Sequence, residues 1–129
     1  FYGWMTSGKV RQPVRFVFRD RRTFAVPGFY EVWPRVYEAE IRACTMVTTA
    51  ASGIVQGYAD RMPALLDEDG VDAWLSEGNV EYRKVFSAVR ELSERDLDMY
   101  PVGAFVNDAA NESPACAEPI QAAFAALRR

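Results

Sequence analysis

The first half of the chain has the apolar and polar pattern of β-strands. Residues 14–19 are rich in β-branched and aromatic side chains, and the polar residues 20–22 follow them. This pattern predicts a hairpin that turns at 20–22 and returns through residues 23–26. Further strands are expected at residues 28–32, 41–49 and 62–66, with Pro27 and Pro34 at turns or edges.

The second half changes to a helical period. Val85, Phe86, Val89 and Leu92 form one apolar stripe, which predicts a helix that begins near Asn79. Shorter helices are expected at residues 71–75 and 120–127, and a strand followed by a polar loop is expected at 100–107. Strands followed by helices predict an α+β fold.

Length and composition favour one domain over residues 1–129. Half of the 129 residues are hydrophobic, which is enough for one core. The chain has no apolar run of the roughly 20 residues that cross a bilayer, and its first residues do not resemble a signal peptide. We expect no membrane partner and a cytoplasmic protein encoded by a bacterium or a phage.

Cysteine and histidine usage argues against a metal site. The chain has two cysteines and no histidine, and Cys44 and Cys116 lie far apart. Neither has a second ligand at the spacing that zinc sites require, so we expect no metal and no cofactor. Cys44 lies in an apolar run and is expected to be buried.

Charge is distributed unevenly along the chain. Residues 1–42 hold eight basic and four acidic side chains, whereas residues 43–129 hold seven and fourteen. One interpretation is a surface for single-stranded nucleic acid, which combines phosphate contacts with base stacking. The other is a solvated strand face with its aromatic residues in the core. The residues concerned are Lys9, Arg11, Arg15, Arg19, Arg21, Arg22, Arg35 and Arg42, with Phe16, Phe18, Phe24 and Trp33 among them.

Seven short segments resemble the SOS-response-associated peptidase (SRAP) family in their order along the chain. The most specific is Asp60-Arg61-Met62-Pro63, which resembles the family's His-Asp-Arg-Met-Pro box with Ala59 in place of the histidine. Phe1-Tyr2-Gly3-Trp4 is similar to its Phe-Tyr-Glu-Trp box, with Gly3 in place of the glutamate. The other similar segments are residues 8–19, 24–31, 44–49, 72–75 and 100–107.

The resemblance implies a mixed fold, mainly of antiparallel strands in a bifurcated sheet or pseudo-barrel with a few flanking helices. It also implies a role at abasic sites in single-stranded DNA. Family members capture the abasic sugar through an amino-terminal cysteine, and the glutamate and histidine assist the proton transfers. Gly3 and Ala59 leave no intact catalytic residue here, and the domain is expected to lack the family's amino-terminal segment.

Three hypotheses follow for the function. In the first, the protein senses or shields abasic single-stranded DNA without covalent crosslinking. In the second, the catalytic cysteine lies in a missing amino-terminal piece, and Asp60 or Glu31 serves as the proton carrier of an active crosslinking and autoprocessing enzyme. In the third, the chain is a structural domain, and a partner polypeptide covers its exposed strand edges.

Four residues are candidates for contact with DNA or for a purely structural role. Arg61 either binds a phosphate or forms a salt bridge with Asp60 or Glu31. Thr48 either donates to a sugar or phosphate or fills a strand. Trp4 is either a core residue or a stacking platform. Asn107 is expected to hydrogen-bond a backbone turn.

Overall fold

The computed structural model describes residues 1–34, 40–76, 89–90 and 96–120. Nine strands and one α-helix lie in this part of the chain. In chain order they are β1 (Tyr2–Ser7), β2 (Val10–Phe18), β3 (Gly28–Trp33), β4 (Ile41–Met46), β5 (Thr48–Ala50), β6 (Arg61–Pro63), β7 (Leu65–Leu66), α1 (Glu68–Leu75), β8 (Val89–Arg90) and β9 (Leu97–Pro101). Short 3-10 helices cover Gly53–Val55, Ala104–Asn107 and Pro114–Ala117.

The chain divides into two compact units. Unit 1 contains Phe1–Arg22, Ala51–Asp60 and Ser93–Arg129, and unit 2 contains Thr23–Ala50 and Arg61–Leu92. The single domain expected from the sequence stays a prediction. None of the helices in the described part of the chain is long and apolar enough to cross a lipid bilayer.

Unit 1 is built on a three-stranded antiparallel sheet in the order β1-β2-β9. The β1–β2 turn contains Gly8 at φ 57°, a conformation that glycine adopts without steric cost. Alternate residues of β2 point into the core, so Val14, Phe16 and Phe18 are buried. Val55, Leu97 and Val102 complete this core.

Unit 2 contains three antiparallel strand pairs, β3–β4, β5–β6 and β7–β8, together with α1. The helix begins after Asp67, whose Oδ1 accepts a hydrogen bond from the Gly70 amide at 2.8 Å. Trp74 of α1 donates through Nε1 to the Gly28 carbonyl at 3.2 Å and packs against Phe29. Pro27, Met62, Ala64 and Leu65 are buried in the described part of this unit.

The α+β fold with mainly antiparallel strands is confirmed, and the described strands form separate sheets rather than a closed barrel. The expected hairpin between residues 14–19 and 23–26 is wrong, because β2 pairs with β1 and β9 instead. The turn at 20–22 does form: the Arg21 amide donates to the Phe18 carbonyl at 3.0 Å, after which the chain enters unit 2.

The helical predictions had mixed outcomes. The helix expected at 71–75 is present as the second part of α1. Val89, assigned to a helical stripe, lies in β8 and pairs with Leu66. The rest of that predicted helix and residues 121–127 of the last one lie outside the described residues. Cys44 is exposed, so its predicted burial is wrong. Its strand β4 belongs to a two-stranded sheet with solvent at the Cys44 side chain.

Candidate nucleic-acid interface

Thr48 and Arg61 meet across the β5–β6 pair of unit 2. Arg61 is paired with Ala50, so Thr48 is its diagonal neighbour on the partner strand. Arg61 Nε donates to Thr48 Oγ1 at 2.7 Å, and Arg61 Nη2 donates to the Thr48 carbonyl at 2.6 Å. Both residues are exposed. Thr48 therefore holds the guanidinium at two points while leaving it open to solvent.

The Thr48–Arg61 pair retains several hydrogen-bond donors. A guanidinium carries five N–H groups, and two of them are used here. Because Thr48 Oγ1 accepts from Arg61, its own proton can be donated to a ligand. Among the described residues, no carboxylate forms an ion pair with Arg61, so the predicted alternative of a salt bridge to Asp60 or Glu31 is wrong. This donor set suits an oxyanion such as phosphate.

Gly3 and Ala59, the positions that the family resemblance assigns to acid/base residues, lie close together in unit 1. The Trp4 amide donates to the Tyr58 carbonyl at 2.9 Å, which joins β1 to the segment before Ala59. A Cβ built on Gly3 would lie 3.0 Å from Tyr58 Cβ. The Ala59 amide donates to the Val55 carbonyl at 3.1 Å. Neither Gly3 nor Ala59 offers a side chain that transfers a proton.

An aromatic cluster fills the surroundings of position 3. Phe16 is fully buried, stacks on Phe1 at a centroid distance of 5.0 Å and meets the edge of Tyr58 at 5.7 Å. The Phe1 amino group donates to the Phe16 carbonyl at 3.1 Å. A Cβ on Gly3 would lie 3.0 Å from Phe16 Cε2, so a side chain at position 3 would require this cluster to shift.

Trp4 is half-buried at the edge of the unit 1 sheet. Its Nε1 donates to Asn107 Oδ1 at 2.7 Å, and the Arg11 guanidinium lies 4.7 Å from its ring centroid. We expected the Asn107 side chain to hydrogen-bond a backbone turn. Its oxygen accepts a hydrogen bond from the Trp4 indole instead, so this expectation is wrong. The Trp4–Asn107 contact joins residues 103 positions apart in sequence, and no local pattern indicates it.

The basic residues near β2 make structural contacts with aromatic rings. Arg15 donates to the Tyr100 hydroxyl at 2.7 Å, and Arg21 lies over the same ring at 5.3 Å. Arg22 lies 4.4 Å from the centroid of the Phe18 ring. With Phe16 and Phe18 buried, these contacts favour the interpretation of a solvated strand face over a continuous stacking surface.

The remaining candidates are dispersed. Asp60 is exposed in unit 1, and Glu31 is exposed on β3 in unit 2. Within the described ranges, no group of three or more Cys, Asp or Glu residues has the arrangement of a metal site. Within the described ranges, the geometry therefore offers exposed hydrogen-bond donors at Thr48 and Arg61 and no assembled group of acid/base side chains.

Comparisons with known proteins identify the family. The family model for SOS response associated peptidase (SRAP) matches residues 1–109. The abasic site processing protein YoqW of Bacillus subtilis is 29% identical over 115 residues, which cover 88% of this chain and 51% of YoqW. The abasic site processing protein HMCES of Gallus gallus is 28% identical over 141 residues, covering 94% of this chain and 41% of HMCES.

The fold has a close match among solved structures. A crystal structure of a protein from Bacteroides thetaiotaomicron superposes with a TM-score of 0.77 at 19% identity. The match covers 94% of this chain and 53% of that protein. The chain spans about half the length of the curated relatives it matches. On the family match over residues 1–109, the chain belongs to the SOS response associated peptidase (SRAP) family.

Proposed function

We propose that this chain binds single-stranded DNA at abasic sites and shields them without forming a covalent adduct. The observation that carries the proposal is the Thr48–Arg61 pair, whose remaining donors suit a DNA phosphate. The names of YoqW and HMCES, both abasic site processing proteins, support the choice of DNA as ligand. Such a role belongs in the compartment that holds the DNA, in agreement with the expected cytoplasmic protein of a bacterium or phage.

The non-covalent part of the proposal rests on positions 3 and 59. Opening an abasic sugar requires an acid, and shuttling protons requires a base. Gly3 and Ala59 supply neither, and the side chains of Phe16 and Tyr58 crowd position 3. Binding through Thr48 and Arg61 needs no proton transfer, so it can persist without these groups.

Fluorescence anisotropy with a labelled abasic oligonucleotide tests the binding. Arg61→Ala should weaken binding roughly tenfold, because a charge-assisted contact is lost. It should also reduce the salt slope of log K by about 0.7, the value for one phosphate contact on a single strand. Thr48→Val should weaken binding less, since the guanidinium keeps its charge but loses one of its two anchors.

Arg42→Ala is the matched control. Arg42 is also an exposed arginine on a strand of unit 2, but it pairs with Glu40 at 3.4 Å. Its replacement changes the net charge equally and should leave affinity within about twofold, because exposed ion pairs contribute little. Equal losses for Arg61→Ala and Arg42→Ala would refute a specific site at Arg61.

A denaturing gel tests the absence of covalent chemistry. After incubation with abasic single-stranded DNA, the chain and the DNA should migrate separately. A shifted band that survives denaturation would overturn the proposal and favour the active crosslinking enzyme. The two assays test separate parts of the proposal, since anisotropy measures binding and the gel detects covalent attachment. A negative result in one therefore leaves the other interpretable.

A further inference from the structure

Thr48 occupies one edge of the Arg61 guanidinium. Nε donates to Thr48 Oγ1 at 2.7 Å and Nη2 donates to the Thr48 carbonyl at 2.6 Å, and these two N–H groups project from the same edge of the planar group. Nη1 and Nη2 form the terminal edge, from which two further N–H groups project side by side. Within the described ranges, the contacts of Arg61 with Thr48 leave this terminal edge open to solvent.

The strand register explains why the guanidinium takes this position. The Ala64 amide donates to the Val47 carbonyl at 3.0 Å, so these two residues form a hydrogen-bonded pair that extends the β5–β6 ladder. Hydrogen-bonded pairs alternate with non-hydrogen-bonded ones, so in the next pair, Thr48 and Pro63, the Thr48 carbonyl points away from β6. Arg61 lies on the same face as Thr48 and reaches across β5 to this carbonyl. A backbone atom of β5 therefore anchors the guanidinium together with the hydroxyl.

The terminal edge of the guanidinium matches a phosphodiester group. Two parallel N–H groups bind two oxygens of one phosphate, whereas a lysine ammonium acts as a point charge. Because Thr48 holds the guanidinium before a ligand arrives, less side-chain freedom is lost on binding. We propose that Thr48 is a positioning residue, which presents the terminal edge of Arg61 to both non-bridging oxygens of a single DNA phosphate. This inference rests on the proposed DNA binding and specifies how the site recognises the phosphate.

Abasic single-stranded oligonucleotides that each carry one methylphosphonate linkage test this contact by fluorescence anisotropy. A methylphosphonate replaces one non-bridging oxygen by a methyl group and removes the charge. At the linkage that Arg61 contacts, this replacement should weaken binding to the parent protein about tenfold, because a charge-assisted contact is lost. In Arg61→Ala the same replacement should weaken binding by no more than about twofold, since the partner of that phosphate is already absent.

Variants at both positions separate charge from geometry. Arg61→Lys should keep the salt slope of log K but weaken binding about fivefold, because lysine keeps the charge and loses the two-point contact. Thr48→Val should weaken binding about threefold and should reduce the methylphosphonate effect from about tenfold to about threefold, because the guanidinium is less well oriented. Thr48→Ser keeps both acceptors and should stay within about twofold of the parent. Arg42→Lys, which changes an exposed arginine paired with Glu40, is the matched control and should leave affinity unchanged.

The outcomes distinguish this inference from the proposed function. If Arg61→Ala binds as tightly as the parent, DNA binding at Arg61 and this inference both fail. If Arg61→Ala weakens binding and Arg61→Lys does not, the contact is that of a point charge, so DNA binding stands and the positioning role of Thr48 is refuted. The role is also refuted if no single linkage is sensitive in the parent, or if Thr48→Val leaves the methylphosphonate effect unchanged. Circular dichroism of the variants separates these results from unfolding, since both side chains are exposed.

Discussion

Gly3→Ala should destabilise the protein although it adds only one methyl group. Gly3 is buried in β1, and its Cβ would lie 3.0 Å from Phe16 Cε2, 3.0 Å from Tyr58 Cβ and 3.3 Å from the Tyr58 carbonyl oxygen. Contacts this short require the neighbours to move. Phe16 is fully buried between Phe1 and Tyr58, so its ring cannot swing aside without disturbing the core of unit 1.

Two opposing effects determine the size of the change. Overpacking a core costs about 1–3 kcal/mol. Replacing glycine where alanine can adopt the backbone returns about 0.5–1 kcal/mol by restricting the unfolded chain. Alanine can do so at position 3, since the positive-φ glycines among the described residues are Gly8 and Gly53. We expect a net loss of about 0.5–2 kcal/mol, or a midpoint lowered by about 2–8 °C for a chain of this size.

Thermal and urea unfolding followed by circular dichroism measure the effect, with Gly57→Ala as the control. A Cβ at Gly57 meets no atom within 4 Å, so this variant should be as stable as the parent or up to about 1 kcal/mol more stable. Gly3→Glu should be less stable than Gly3→Ala, because a carboxylate would enter a buried site. If Gly3→Ala were as stable as Gly57→Ala, the packing argument at position 3 would be refuted.

Two further variants probe unit 2. Asp67→Ala should lower stability by about 1 kcal/mol, because α1 loses the side chain that accepts from the Gly70 amide; urea unfolding with Asp67→Asn, which keeps an acceptor, should show a smaller loss. Gly28→Ala should cost about 2 kcal/mol, since its Cβ would lie 2.8 Å from the Thr45 carbonyl oxygen across the hairpin, and an unchanged thermal midpoint would contradict this.

Local sequence patterns predicted where strands and helices lie better than they predicted which strands pair. The strand at residues 28–32 and the helix at 71–75 follow from a β-branched and aromatic run and from helical spacing, and both are present. The single strand expected at 41–49 is divided into β4 and β5, which pair with different strands. The pairing of β2 with β9 was not predictable, because it joins residues about eighty positions apart while the nearby residues 23–26 offered a shorter connection. Burial of Cys44 failed for the same reason: an apolar strand is buried only if something covers it.

For the candidate site too, the sequence indicated the residues but not the contacts between them. Arg61 and Thr48 could be singled out from the resemblance, yet their mutual hydrogen bonds depend on the β5–β6 register, and the sequence left a salt bridge open instead. The Trp4–Asn107 contact had no local signal at all, since it joins β1 to a 3-10 helix near the other end of unit 1.

Position 3 bears most directly on the proposal that the chain forms no covalent adduct. A missing glutamate alone would leave a vacancy that one substitution could refill. Here the Phe16 ring and the Tyr58 side chain approach within 3.0 Å of where the first carbon of that side chain would stand. A glutamate introduced at position 3 would therefore require the packed Phe16 and Tyr58 side chains to shift. The Thr48–Arg61 pair has no such requirement, because its donors are already exposed. The proposed DNA contact at Thr48 and Arg61 therefore does not depend on side chains at positions 3 and 59.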